Sequence, residues 1–209
     1  MLFYTDSEGR TAWHDAAHWG KLDVMQKMWE MAKEKLTTEE IKNEMLLRTE
    51  EMGRTAWHLA AYGGGLDIMH KIWELAKEIL TTEEIKNEML LHTDDERMTA
   101  WHLAAYRGKL DIIQRIWEWA EEKLTTEEIK NEILLRTNIK GMTACHNAAY
   151  QGKLDVMRKI REWAEQKLTT AEINNDLLLR TDDEGRTVWH LAANGGKLDI
   201  MQKIWDWAK

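Results

Sequence analysis

Thr11-Ala12-Trp13-His14 organises this chain, because the stretch returns at a fixed interval. Thr55-Ala56-Trp57-His58, Thr99-Ala100-Trp101-His102, Thr143-Ala144-Cys145-His146 and Thr187-Val188-Trp189-His190 each begin 44 residues after the copy before. Two alanines and then a glycine follow every copy, as in Ala16-Ala17 and Gly20. A single fixed period is the sequence signature of a stacked array, in which each unit buries its apolar face against its neighbours.

Outward from that stretch, the local chemistry repeats too. Thr5-Asp6-Ser7-Glu8-Gly9-Arg10 reads as a turn, with short polar side chains to bond backbone and a glycine able to take positive φ. Residues 11–18 read as a short helix with Thr11 as N-cap, and Gly20 ends it. Residues 22–34 read as a second helix, with Leu22, Met25, Trp29 and Ala32 on one stripe widened by Val24, Met28 and Met31. Thr37 and Glu40 have capping-box spacing, so a third helix starts there and is expected to run to about Arg48. Ile41, Met45 and either Leu46 or Leu47 supply its apolar face.

These signals predict an all-α solenoid of about 4.75 repeats forming one elongated domain over 1–209. The repeats run about 5–48, 49–92, 93–136, 137–180 and 181–209, each a turn, a helix-turn-helix and an additional third helix. Residues 1–4 align with Met45-Leu46-Leu47-Arg48, the tail of a preceding repeat, and Lys209 aligns with Lys33. The expectation is a segment of a longer array or an engineered array, with self-association through uncapped ends.

Composition narrows the partners. A formal net charge of −8 argues against a nucleic-acid backbone, which needs clustered cations. No run of about 18 apolar residues is available to span a membrane, and MLFYTDSEGR lacks the basic and apolar regions of a signal peptide. The single cysteine, Cys145, excludes an intramolecular disulfide and a zinc cluster. An intracellular, cytoplasmic protein is expected.

The block Asp94-x-x-x-x-Thr99-Ala100-Trp101-His102-Leu103-Ala104-Ala105-x-x-Gly108-Lys109-Leu110-Asp111-Ile112-Ile113 resembles the ankyrin repeat. The family's proline is replaced by Ala12, Ala56, Ala100, Ala144 and Val188, and its leucine mostly by tryptophan. The unit is also longer than the family's 33 or so residues, and the extra length falls around Leu36–Arg48. The resemblance implies a protein-binding scaffold that grips its partner with a concave face and turn tips.

Positions that differ between copies mark that surface by resemblance. The tips are Ser7 and Glu8, Glu51 and Met52, Asp95 and Glu96, Ile139 and Lys140, Asp183 and Glu184. On the short helices the varied residues are Asp15, Leu59, Leu103 and Asn147, then His18, Tyr62, Tyr106, Tyr150 and Asn194, then Trp19, Arg107 and Gln151. Trp19 stands where other copies have Gly63, Arg107, Gln151 and Gly195, which makes it a candidate contact residue.

His14, His58, His102, His146 and His190 invite a metal reading. Neighbouring copies lie about one helix-packing distance apart, 8–10 Å, too far for one ion about 2 Å from each nitrogen. They are expected to be structural, each bonding backbone or the capping threonine and stitching one repeat to the next. His14 and His18 flank Asp15 at i,i+4 as a two-ligand face without a third ligand. The repeated tryptophans at 13, 57, 101 and 189 and at 29, 73, 117 and 205 suit a core, with a stacking platform for bases or sugars as the alternative. No nucleophile elbow or phosphate-binding glycine loop occurs, so neither an enzyme nor a cofactor is expected. The reading is a scaffold for a partner protein, against the alternative of a designed or excised array with no cognate ligand.

Overall fold

The computed structural model describes residues 2–207; Met1 of the opening tetrapeptide, Ala208 and Lys209 lie outside the described residues. The described chain is helical throughout, apart from turns and one isolated bridge between Thr5 and Thr11. It divides into two compact units, one ending at Ala100 and the other beginning at Trp101.

Each repeat places its helices at equivalent positions. The first has α1 (Ala12–His18), α2 (Leu22–Lys35) and α3 (Thr38–Ile41); the second has α4 (Ala56–Tyr62), α5 (Leu66–Ile79) and α6 (Thr82–Glu84). The third holds α7 (Ala100–Arg107), α8 (Leu110–Lys123) and α9 (Thr126–Glu128), and the fourth α10 (Ala144–Gln151), α11 (Leu154–Lys167) and α12 (Thr170–Glu172). The fifth contributes α13 (Val188–Asn194) and α14 (Leu198–Trp207). In the first unit α1 packs on α4 and α2 on α5; in the second α10 packs on α13 and α8 on α11. Equivalent helices thus stack on one another.

The capping boxes form as the spacing predicts. Thr37 accepts a hydrogen bond from the Glu40 amide, while the Glu40 carboxylate accepts from the Thr37 amide at 2.8 Å. The rest of the third helix differs from expectation. After one α-turn it widens into a π-helical segment, Lys42–Leu46, closed by Leu47 N–H donating to the Lys42 carbonyl at 3.0 Å. Equivalent segments are Ile85–Leu90, Ile129–Leu134 and Ile173–Leu178. The reason lies in the spacing of the apolar residues. Ile41, Met45 and Leu46 sit at i, i+4 and i+5, and the i→i+5 ladder lets all three share one buried face. Leu46, rather than Leu47, completes the core. The segment packs onto the following repeat, Lys42–Leu46 against α4 and α5 and Ile129–Leu134 against α11.

An ion pair reinforces each of these junctions. Lys42 pairs with Glu84 and Lys130 with Glu172, the capping-box glutamate of the next repeat. The lysine partner and the capping threonine hold both carboxyls down to about 2.

Tryptophan pairs fill the space between first and second helices. Ring centroids are 6.2 Å apart for Trp13 and Trp29, 5.8 Å for Trp57 and Trp73, and 6.2 Å for both Trp101–Trp117 and Trp189–Trp205. The fourth repeat has lost both partners together, to Cys145 and Arg161. Trp163 takes over their role at the preceding junction, lying parallel to Trp117 at 4.8 Å and 8° and tilted against Trp101 at 5.8 Å.

Candidate interaction surface

The turn tips are built by one side chain per repeat. Asp6 Oδ1 accepts from the amides of Glu8 and Arg10, both at 2.9 Å. Glu50, Asp94, Asn138 and Asp182 accept from the corresponding pairs of amides at 2.8–3.2 Å. Asn138 does this as a neutral amide, so loss of the acid in the fourth repeat leaves the turn intact. Successive tips are then tied by backbone. Glu51 N–H donates to the Glu8 carbonyl at 3.1 Å and Asp95 N–H to the Met52 carbonyl at 3.0 Å. In the second unit Asp183 N–H donates to the Lys140 carbonyl at 3.1 Å. Arg54 Nε adds a bond of 3.0 Å to the buried Asp94 carboxylate of the next repeat. Within each unit the tips are therefore bonded to one another rather than free loops.

The repeated histidine fixes the base of that edge. His14 Nδ1 accepts from the Thr11 amide at 3.2 Å and lies 2.8 Å from Thr11 Oγ1, so His14 takes the place of glutamate in a capping box. Because Nδ1 accepts, the proton sits on Nε2, which donates to the Arg48 carbonyl at 3.0 Å. His58, His102 and His146 repeat the second bond to the carbonyls of His92, Arg136 and Arg180. His190 keeps the Thr187 bonds and is exposed.

The structural role expected of these residues is thus present, with one correction. Each of the four buried rings ties α1, α4, α7 or α10 to the end of the third helix of its own repeat, 34 residues on, rather than to the next repeat. Burial keeps them neutral, pushing His58 down to about 3 and His102 to about 4, with His14 and His146 lowered in the same direction. With both nitrogens of His14 engaged in this way, the His14–His18 face has no two-ligand chemistry to offer.

Most of the varied positions lie at the surface. Ser7, Glu8, Glu51, Met52, Asp95, Ile139, Lys140, Asp183 and Glu184 are exposed along the tips, and Glu96 is half-buried. At the helix ends Trp19, Arg107, Tyr150 and Asn194 are exposed, while Asp15, His18, Tyr62, Tyr106 and Gln151 are half-buried. Three residues do not belong there. Leu59 and Leu103 are 1% exposed and Asn147 is 3% exposed, so they cannot meet a partner. They sit one turn before the helix ends, on a face that the repeat packing covers. Sequence comparison selected them because they vary, but variation alone does not distinguish a surface from a core repacked copy by copy.

One feature of the second unit escaped the sequence. A cleft of about 450 Å³ lies beside Arg161, lined also by Glu165, Leu168, Thr170, Ile173, Asn174 and Trp207. The signal was present in Arg161 itself, smaller than the tryptophan of the other copies, but its spatial neighbours could not be listed from spacing alone.

No protein-family model matches this chain, and no curated protein matches it in sequence. Its class rests on its own geometry: a helical repeat protein with a 44-residue unit. No described helix is long and apolar enough to cross a membrane.

Proposed function

We propose that this chain is an ankyrin-like protein-interaction scaffold, whose partner protein seats on the turn tips and the ends of the first helices. One observation carries the reading. Thr11, His14, Ala16 and Ala17, the framework of the repeated stretch, are buried, whereas most of the positions that differ between copies are exposed, at the hydrogen-bonded tips and at the helix ends. A fixed frame with varied surface side chains is how one architecture presents different contacts, and a preformed backbone lowers the ordering cost of binding. Tyr106 and Tyr150 in successive repeats supply rigid amphipathic rings suited to a protein surface.

The test is affinity capture by the full chain, compared with a variant carrying Trp19→Ala, Tyr106→Ala and Tyr150→Ala. A protein retained by the parent and lost by the variant supports the scaffold. Equal capture by both refutes this surface as the seat of the partner, and capture by neither refutes the scaffold and leaves a structural array without a ligand.

A further inference from the structure

In the unit ending at Ala100, an aromatic strip crosses two repeats. Trp19 is 65% exposed, and its ring meets His18 edge-on at 4.7 Å and 86°. The His18 ring lies nearly parallel to Tyr62 at 6.0 Å and 18°, and the Arg54 guanidinium sits 5.7 Å over the Tyr62 ring. Gly63 makes the strip possible, since a Cβ there would come within 2.7 Å of the His18 imidazole. The equivalent Arg107 is exposed as well, while Gln151 is half-buried.

Carboxylates run beside this strip. The three tips of the unit, residues 6–10, 50–54 and 94–98, hold seven acidic side chains against three arginines. Asp6, Glu50 and Asp94 are spent on their turns, Glu8 pairs with Arg10, and Arg54 with Asp94. Glu51, Asp95 and Glu96 make no ion pair among the described residues. Asp15, one helical turn from Trp19, already faces the Arg10 guanidinium at 4.0 Å, so the carboxylates left for a ligand are those of Glu51, Asp95 and Glu96. In the second unit the tips are mixed instead, with Ile139 and Lys140 facing Asp183 and Glu184.

We infer that this unit takes a basic, extended polypeptide segment, with one arginine or lysine laid over Trp19 and a second facing the tip carboxylates. The inference rests on the scaffold reading and names the chemistry of its partner. An exposed indole attracts a cation through its ring face, and the acidic edge supplies the complementary field. The spacing also fits. Helix α1 is seven residues long, so about 10 Å separates Trp19 from the tip of its own repeat, to which the Glu51 amide is bonded. An extended chain rises about 3.3 Å per residue, so cations three residues apart span the same distance.

The probe is a dye-labelled peptide with arginine at every third position, titrated into the full chain by fluorescence anisotropy. Matched peptides carry glutamate or alanine at those places. The arginine peptide should bind, and its affinity should fall as salt is raised. Trp19→Ala should weaken it about tenfold, and Trp19→Tyr should restore part of the loss. Trp19 lies at the surface, so its removal leaves the fold standing. Reversing the edge with Glu51→Lys and Asp95→Lys should weaken binding independently. Unchanged binding by Trp19→Ala, equal binding of the glutamate peptide, or no binding of the arginine peptide would each overturn the inference. A partner captured through the varied surface while the arginine peptide fails would overturn only the basic chemistry and leave the scaffold standing.

Discussion

Acidification should destabilise this protein through its repeated histidines. The folded-state pKa of His58 is pushed down from 6.5 to about 3, first by burial and next by the neighbouring His92, and that of His102 to about 4 by burial. In the unfolded chain both return to about 6.5. A group depressed on folding contributes stability above its unfolded value and loses it as pH falls below that value. The unfolded state therefore binds protons that the folded state refuses, and stability falls with a slope approaching about 1.4 kcal/mol per pH unit for each histidine. Between pH 7 and pH 5 this amounts to about 2 kcal/mol each for His58 and His102, with His14 and His146 acting in the same direction. Against a total stability of about 5–15 kcal/mol, such a loss is large. The depressed carboxyls, Glu84 and Glu172 at about 2, lose their contribution only below about 4.5, outside this window. Urea unfolding followed by circular dichroism at steps between pH 7 and pH 5 measures the slope. His58→Gln is the control, because glutamine can serve in the capping box without titrating. It should be less stable at pH 7 but shallower in pH dependence by about one proton. A parent midpoint that is flat over this window, or a His58→Gln slope equal to the parent's, would refute the reasoning.

Other substitutions test the packing. Trp163→Ala should cost about 3–5 kcal/mol, because its ring bridges Trp101 and Trp117, and hydrogen exchange should quicken in residues 101–136 as well as in its own repeat; a loss below about 1 kcal/mol would show that the junction does not depend on it. Ile85→Ala and Ile129→Ala should each cost about 2–5 kcal/mol in urea unfolding, since both are buried at the start of π-helical segments, and effects of surface size would make those segments mere decoration. Arg97 has φ of 57° where the equivalent turn residues are Gly9, Gly53, Gly141 and Gly185, so Arg97→Gly should raise stability by about 1 kcal/mol in the same assay. Val24 and Met31 on α2 and Leu198 and Trp205 on α14 are exposed, and the 209-residue chain is expected to self-associate in sedimentation as its concentration rises.

The 44-residue unit and its local structure can be read from spacing alone. Thr11, Gly20 and the Thr37–Glu40 pair act within a few residues of themselves, so their caps and turns follow from spacing whatever surrounds them. The varied tips were legible for the same reason, because a turn built by Asp6 must present Ser7 and Glu8. Tertiary structure decided what depended on residues far apart in the chain. The acceptor for His14 is a carbonyl 34 residues away, and no local pattern names it. Leu59, Leu103 and Asn147 vary as surface residues do, yet neighbouring packing buries them. The third helix opened into a π-turn because Met45 and Leu46 both had to reach one core. Trp163 found the space left by Cys145 and Arg161 across a junction between repeats. Local hydrogen bonds act over a few residues of chain and are written there; burial and stacking depend on which surfaces meet, and that is settled only when the repeats pack.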